Sequence, residues 1–222
     1  MSEQAAETII CMSANGKTTS SSQAAARRML IATADGVLDY RRAGPSSAWI
    51  LQPDMLLKDK HVSALVYDER SGLLFGALHF EGGVLASADG GESWEPRNEG
   101  LQSGHAYTLL VQHDGDRTIL NLGTEPVMFY RSFDLGKSWT AYPSCLDVEG
   151  TEHWFFPRSQ PHIKNIASHP SRPDEIYICV EQGDLLRTRD GGKSWTSLHS
   201  MERADDKFRR DQHRIVFWRD NP

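Results

Sequence analysis

An eight-residue pattern, Ser/Thr-x-Asp-x-Gly-x-Ser-Trp, occurs three times in this chain, at residues 87–94, 132–139 and 188–195. Its tryptophans, Trp94, Trp139 and Trp195, stand 45 and then 56 residues apart. Recurrence at that period indicates stacked copies of one supersecondary unit. Each position has a physical reason. Asp89, Asp134 and Asp190 are placed to accept bonds from backbone N–H groups a few residues on and so close a turn. Gly91, Gly136 and Gly192 suit positive φ. Trp94, Trp139 and Trp195 open the next strand and offer a broad apolar surface to a neighbouring sheet. The unit reads as strand, tight turn, strand, and these residues read as turn builders with no part in ligand chemistry.

Strand signals between the octets are regular. In the first unit, 29–34, 36–41 and 47–52 are short and apolar-rich, with Asp35-Gly36 as a hairpin dipeptide. Four-strand sets follow at 62–97, 106–142 and 163–199, separated by turn clusters. Four strands per repeat of about 45 residues is the blade of a β-propeller, whose radial order leaves few exposed edges. The predicted fold is therefore all-β, with four-stranded antiparallel blades at about 29–58, 61–103, 105–150 and 162–200, within a domain spanning 27–222. The first blade begins at its second strand, and 212–219 has the pattern of an innermost strand. Two arrangements are open: a closed four-bladed ring completed by 212–219, or part of a larger propeller. Residues 1–26, rich in Ser, Ala, Gln and Thr with one apolar cluster at 9–12, read as a disordered extension.

Composition narrows the function classes. A net charge of −6 argues against a nucleic-acid partner. No run approaches the 18 apolar residues of a membrane span. No basic n-region precedes a long apolar run, so the expected location is cytoplasmic. Three cysteines without CxxC spacing are expected to be buried thiols.

A second phased set suggests a site. His61, His105, His162 and His213 each open, or immediately precede, an innermost strand. Glu81, Glu125 and Glu181 each lie eight or nine residues before an octet Asp. In an up-and-down blade the loop into the first strand and the loop between the second and third lie at one end, and the octet turn lies at the other. The histidines and glutamates are thus expected to converge at one mouth of the channel. Such a ring suits a divalent metal or acid–base chemistry, with Glu81, Glu125 or Glu181 as catalytic candidates. Its structural alternative is that the histidines cap backbone groups or pack over the channel. At the same end, the loop of residues 144–161 carries His153, Trp154, Phe155 and Arg158. These suit stacking on a flat ligand and pairing with a carboxylate, or plugging of the mouth.

The octets resemble the Asp-box (BNR) repeat of β-propellers, a group that includes sialidases, the sortilin receptor domain, a photosystem II assembly factor and many bacterial proteins. The cadence Phe156-Pro157 to Pro161-His162, Glu181-x-Gly183, octet, Gln212-His213-Arg214 is similar to that of the bacterial proteins. The resemblance covers 29–222 and implies the fold. It does not imply a sialidase, because the Phe/Tyr-Arg-Ile-Pro motif ahead of the first box is missing and Phe155-Phe156-Pro157-Arg158 is not that motif. The expected function is a scaffold binding a small ligand, a glycan or a protein at the His/Glu face. The alternative is a glycoside hydrolase or metal-assisted hydrolase using the same face. Glycosidases need two carboxyl groups about 5 Å apart, or roughly 6.5–9.5 Å apart, in an open pocket.

Overall fold

The computed structural model describes residues 9–17, 24–198 and 212–217. Four sheets carry the chain. Blade I pairs Arg28–Thr33, Gly36–Arg41 and Ile50–Leu51 in antiparallel order. Blade II runs Val62–Asp68, Leu73–Leu78, Gly83–Ser87 and Glu95–Pro96. Blade III runs Ala106–Asp114, Arg117–Thr124, Phe129–Ser132 and Thr140–Tyr142. Blade IV runs Ile163–His169, Arg172–Val180, Leu185–Thr188 and Thr196–Ser197. Innermost strands of successive blades pack side by side. The fold is an all-β propeller, and two short 3₁₀ turns in the loop between blades III and IV are its only helical turns among the described residues.

Blade-on-blade packing explains why the middle strands are apolar on both faces. Leu30, Val37, Leu65 and Leu74 fill the space between blades I and II. Val66, Phe75, Leu120, Tyr130 and Trp139 fill that between II and III. Phe129, Ile163, Ile178 and Leu186 do the same between III and IV. A strand covered on both sides reads as a continuous apolar run, as Leu74–Leu78 does, rather than as an alternation. Cys11, Cys145 and Cys179 are buried, and burial pushes the Cys179 thiol up to about 12.

The three octets close identical turns. In the last, Asp190 accepts bonds from the Ser194 amide at 2.9 Å, the Ser194 hydroxyl at 2.6 Å and the Thr188 hydroxyl at 2.7 Å. Gly91, Gly136 and Gly192 adopt φ of 101°, 80° and 97°, a region that a Cβ disfavours. An arginine from the preceding blade reaches two of these turns: Arg97 donates to the Leu135 carbonyl and Arg131 to the Gly191 carbonyl, each at 3.2 Å. Burial pushes the Asp190 carboxyl up, but its hydrogen bonds outweigh this and hold it at about 2. Asp190→Ala should therefore destabilise the protein by about 1–2 kcal/mol at neutral pH, the charged bonds being discounted for their exposure to solvent. The folded-state pKa is depressed, so this contribution is present above the ordinary value of 3.8 and lost as pH falls toward 2. Urea midpoints across that range read the difference directly.

Two expectations about the chain ends need correction. Residues 9–17 are not an unstructured extension. Ile9–Met12 forms a strand parallel to Arg28–Thr33, in the innermost position of blade I. Ile9 and Cys11 turn inward and are buried, while Ile10 and Met12 face out. Gly16–Lys17 then pairs in parallel with the innermost strand of blade III. The rest of the expected extension, 1–8 and 18–23, lies outside the described residues. Residues 212–217 carry no strand, and the remainder of the expected final strand, 218–219, lies outside the description. The described part sits against blade IV, where the Ile215 amide donates to Asn165 Oδ1 at 2.9 Å and the Phe217 ring meets His169. The edge of Arg28–Thr33 that a closing C-terminal strand would need is taken by Ile9–Met12. Residues 199–200, assigned to blade IV from the sequence, also lie outside the description.

Candidate functional site

Strand alternation places the starts of the innermost strands and the turns between second and third strands at one end of the propeller. The octet turns lie at the other. The blade registers show which residues are equivalent there. The backbone amide of His79 donates to the His61 carbonyl at 3.0 Å, that of Glu125 to His105 at 3.1 Å, and that of Glu181 to His162 at 3.1 Å. His79, not Glu81, therefore occupies in blade II the place of Glu125 and Glu181. His79 lies ten residues before its octet Asp, where Glu125 and Glu181 lie nine before theirs, because the blade II turn has one more residue; Glu81, at eight, falls two positions away. Glu81 instead lies exposed on that turn at φ 71°, beside Phe80 at φ 58°.

The ionisable side chains form one bonded chain around the mouth. His79 Nε2 lies 3.2 Å from Glu125 Oε2. Glu125 also accepts from the Ser159 hydroxyl of the long loop and stands 3.4 Å from His162 Nδ1. His162, only 1% exposed, meets Glu181 with its other nitrogen at 2.8 Å. Lys164 reaches the same Glu181 oxygen at 2.9 Å and the Tyr107 hydroxyl at 3.3 Å. His213, exposed on the C-terminal segment, approaches Glu181 Oε1 at 3.3 Å. Glu125 and Glu181 thus stand on opposite sides of one imidazole.

The electrostatics follow from that pairing. Burial pushes the Glu181 carboxyl up, but Lys164 and then His162 outweigh it and hold it below the usual carboxylate value. Burial pushes the Lys164 ammonium down, and its bonds and charge interactions with Glu181 and Tyr107 together more than reverse this. His79 is lowered, by burial first and by His61 and His105 in addition, against the pull of Glu125. Burial also raises Tyr107.

The remaining candidates divide. Among the described residues His61 and His105 join no carboxylate; both pack edge-on against His79, with ring centroids at 5.4 and 5.8 Å. His105 Nδ1 is buried without a hydrogen-bond partner. A cavity of about 340 Å³ opens beside His61, His79, Phe80 and Glu81, with Lys60 at its edge. In the long loop, Trp154 packs into the core between blades III and IV, close over Gly183. His153 is exposed and pairs with Glu152 at 3.3 Å. Arg158 is exposed, and Phe155 is 60% exposed. Phe156 stands edge-on to His162 at 4.8 Å.

Among the described residues, no three His, Cys, Asp or Glu side chains stand where they could hold one metal ion. The nitrogens of His162 face oxygens of the chain itself, and His61 and His105 are packed on another imidazole, so the ring of four histidines does not converge. Tyr107, Lys164, Ser159 and His79 were missed from the sequence. A signal for two of them was available: Tyr107 and Lys164 each follow a ring histidine by two residues, the same phased position in blades III and IV.

No family model matches the chain. It is 28% identical over 107 residues to the vacuolar protein sorting/targeting protein 10 of Aspergillus clavatus, a match covering 48% of this chain and 6% of that protein. In structure it is similar to a GH74 xyloglucanase from Xanthomonas campestris, with TM-score 0.54, 16% identity, and coverage of 78% of this chain and 30% of the other. It is also similar to YCF48 bound to D1 peptide, with TM-score 0.53, 17% identity, and coverage of 90% and 61%. The chain thus spans less than two thirds of each of these proteins. No helix among the described residues is long and apolar enough to cross a membrane. At such identities these likenesses show the fold, and the fold they show is a β-propeller.

Proposed function

We propose that this chain is a propeller of Asp-box repeats that acts as a binding scaffold, with its His/Glu end as the docking face for a polypeptide. The observation that carries this reading is the saturation of the two carboxylates. Glu125 and Glu181 are buried and bonded to His79, Ser159, His162 and Lys164, so neither stands free in an open pocket as an acid or base. Docking groups are present around them. Phe80 and Phe155 are 65% and 60% exposed at the same end. Exposed aromatics beside a cavity with a few polar groups form a recognition surface. The similar fold of YCF48, which holds a peptide, supports a polypeptide over a small ligand or glycan.

The xyloglucanase likeness keeps a hydrolase as the second reading. A peptide array and a xyloglucan digest separate the two. The scaffold reading expects peptides that bind the protein and lose about tenfold or more in affinity on Phe80→Ala or Phe155→Ala with an unchanged melt, as for aromatic hot spots, together with no new reducing ends from xyloglucan. Release of reducing ends that Glu125→Gln abolishes would replace it with the hydrolase.

A further inference from the structure

The segment 9–17 makes bonds of a kind that only a polypeptide backbone and a hydroxyl can make. It runs along the inner edge of the second strand of blade I and then along the channel-facing edges of the innermost strands of blades II and III. In blade I it pairs Ile9–Met12 with Arg28–Thr33. At blade II, Ser13 Oγ accepts from the Leu65 amide at 3.0 Å, and the Asn15 amide donates to the Ser63 carbonyl at 3.2 Å. At blade III, the Asn15 carbonyl accepts from the Thr108 hydroxyl at 2.6 Å and the Leu109 amide at 3.4 Å. Gly16 passes so close to blade II that a Cβ would fall 2.8 Å from the Leu65 carbonyl oxygen and against Ser13 Oγ.

We infer that these edges form a receptor site for an extended polypeptide strand, which residues 9–17 close in cis and which a competing strand can take in trans. The site lies down the channel wall from the His/Glu mouth and does not rest on the function proposed for that mouth. Main-chain donors and acceptors along a strand edge bind by strand addition, with alternate side chains supplying selectivity. The partner's chemistry follows from the contacts. It has apolar residues at alternate positions, as at Ile9 and Cys11, then a hydroxyl residue followed three positions later by glycine, as at Ser13 and Gly16.

The hold on the segment is suited to exchange. Its pairings to blades I and III are parallel, which is the weaker ladder. Its outward face is wet, with Met12 49% exposed. A cavity of about 520 Å³ runs beside it, lined by Met12, Ser13 and Gly16 on one side and Ile31 and Arg214 on others. That cavity gives an incoming strand a place to start.

The probe is a labelled peptide with the sequence of residues 9–17, titrated into the full chain under reducing conditions. Wild type should bind it weakly, because only the fraction with an open edge is competent. Gly16→Val, which drives a side chain into Leu65, should bind at least about tenfold tighter as that fraction rises. Adding Thr108→Val to Gly16→Val should weaken binding again by removing the donor to the Asn15 carbonyl. Hydrogen exchange on wild type supplies a second reading that needs no variant. The Leu65 and Leu109 amides should exchange faster than the Leu120 amide of the neighbouring strand, and excess peptide should slow them. A Gly16→Val variant that keeps its melt but binds no better than wild type would overturn the inference. So would exchange at Leu65 and Leu109 as slow as at Leu120, or loss of a cooperative melt in Gly16→Val, either of which would make the segment a permanent strand of the blades.

Discussion

Lys164→Met should lower stability by about 2–4 kcal/mol at neutral pH, because it leaves the Glu181 carboxylate buried with one fewer cation. Lys164 is 22% exposed and Glu181 11%, so water compensates little, and the remaining partners are imidazoles. The methionine fills the space of the alkyl stem, so the loss reports charge rather than a cavity. The pH dependence identifies its source. Glu181 has a depressed folded-state pKa, so the contribution it makes with Lys164 is fully present above the ordinary value of 4.5 and is lost as pH falls through the folded value. The gap between wild type and Lys164→Met in urea midpoint should therefore be widest near neutrality and close below 4.5. A gap that stays constant across that range would mean that the pair does not act through charge. Lys164→Arg should recover part of the loss, since it keeps the cation.

Asp39→Ala should cost more, about 3–5 kcal/mol, a large share of the stability of a domain this size. Arg28 and Asp39 are 6% and 3% exposed, and Arg28 Nη2 meets Asp39 Oδ2 at 2.8 Å with Nε at 3.1 Å from Oδ1. Arg41 adds a contact at 3.0 Å from the solvent side. Removing the carboxylate strands a guanidinium in the interface between blades I and II, where it also lies against the Gly90 turn. Burial pushes Asp39 up, but the bonds and charges of Arg28 and Arg41 outweigh it and hold it below 3.8. Its contribution is thus present above 3.8 and lost as pH falls through the lower folded value. The double variant Arg28→Met/Asp39→Leu should regain most of the loss, because an apolar pair replaces the ion pair without leaving a charge. Chemical denaturation of wild type and the two variants at neutral pH provides the comparison, and a double variant as unstable as Asp39→Ala would show that packing rather than charge is at stake.

The octets made the blades legible because each turn is built from local bonds, donated across four residues or fewer, that any chain with this pattern will form. The end of the molecule carrying the histidines was legible too, since strand alternation alone sorts loops to two faces. The partners within that end were not. The distance from the octet groups Glu81, eight residues ahead of its Asp, with Glu125 and Glu181 at nine, but with one added residue in the blade II turn the equivalent place is ten residues ahead, at His79. The metal expectation lapsed for a related reason. Phased histidines share an end of the channel, yet His162 spends both nitrogens on oxygens of the same chain. Ile9–Met12, noted only as an apolar cluster, is a strand because the edge of Arg28–Thr33 needs a partner, and that edge exists only once blade I has formed. Local turn chemistry and two-residue periodicity were thus enough to specify the repeat, the blade and its two faces. The tertiary structure decided the ion-pair network and the strand in the channel, because both depend on which edges and charges remain unpaired after the blades have packed.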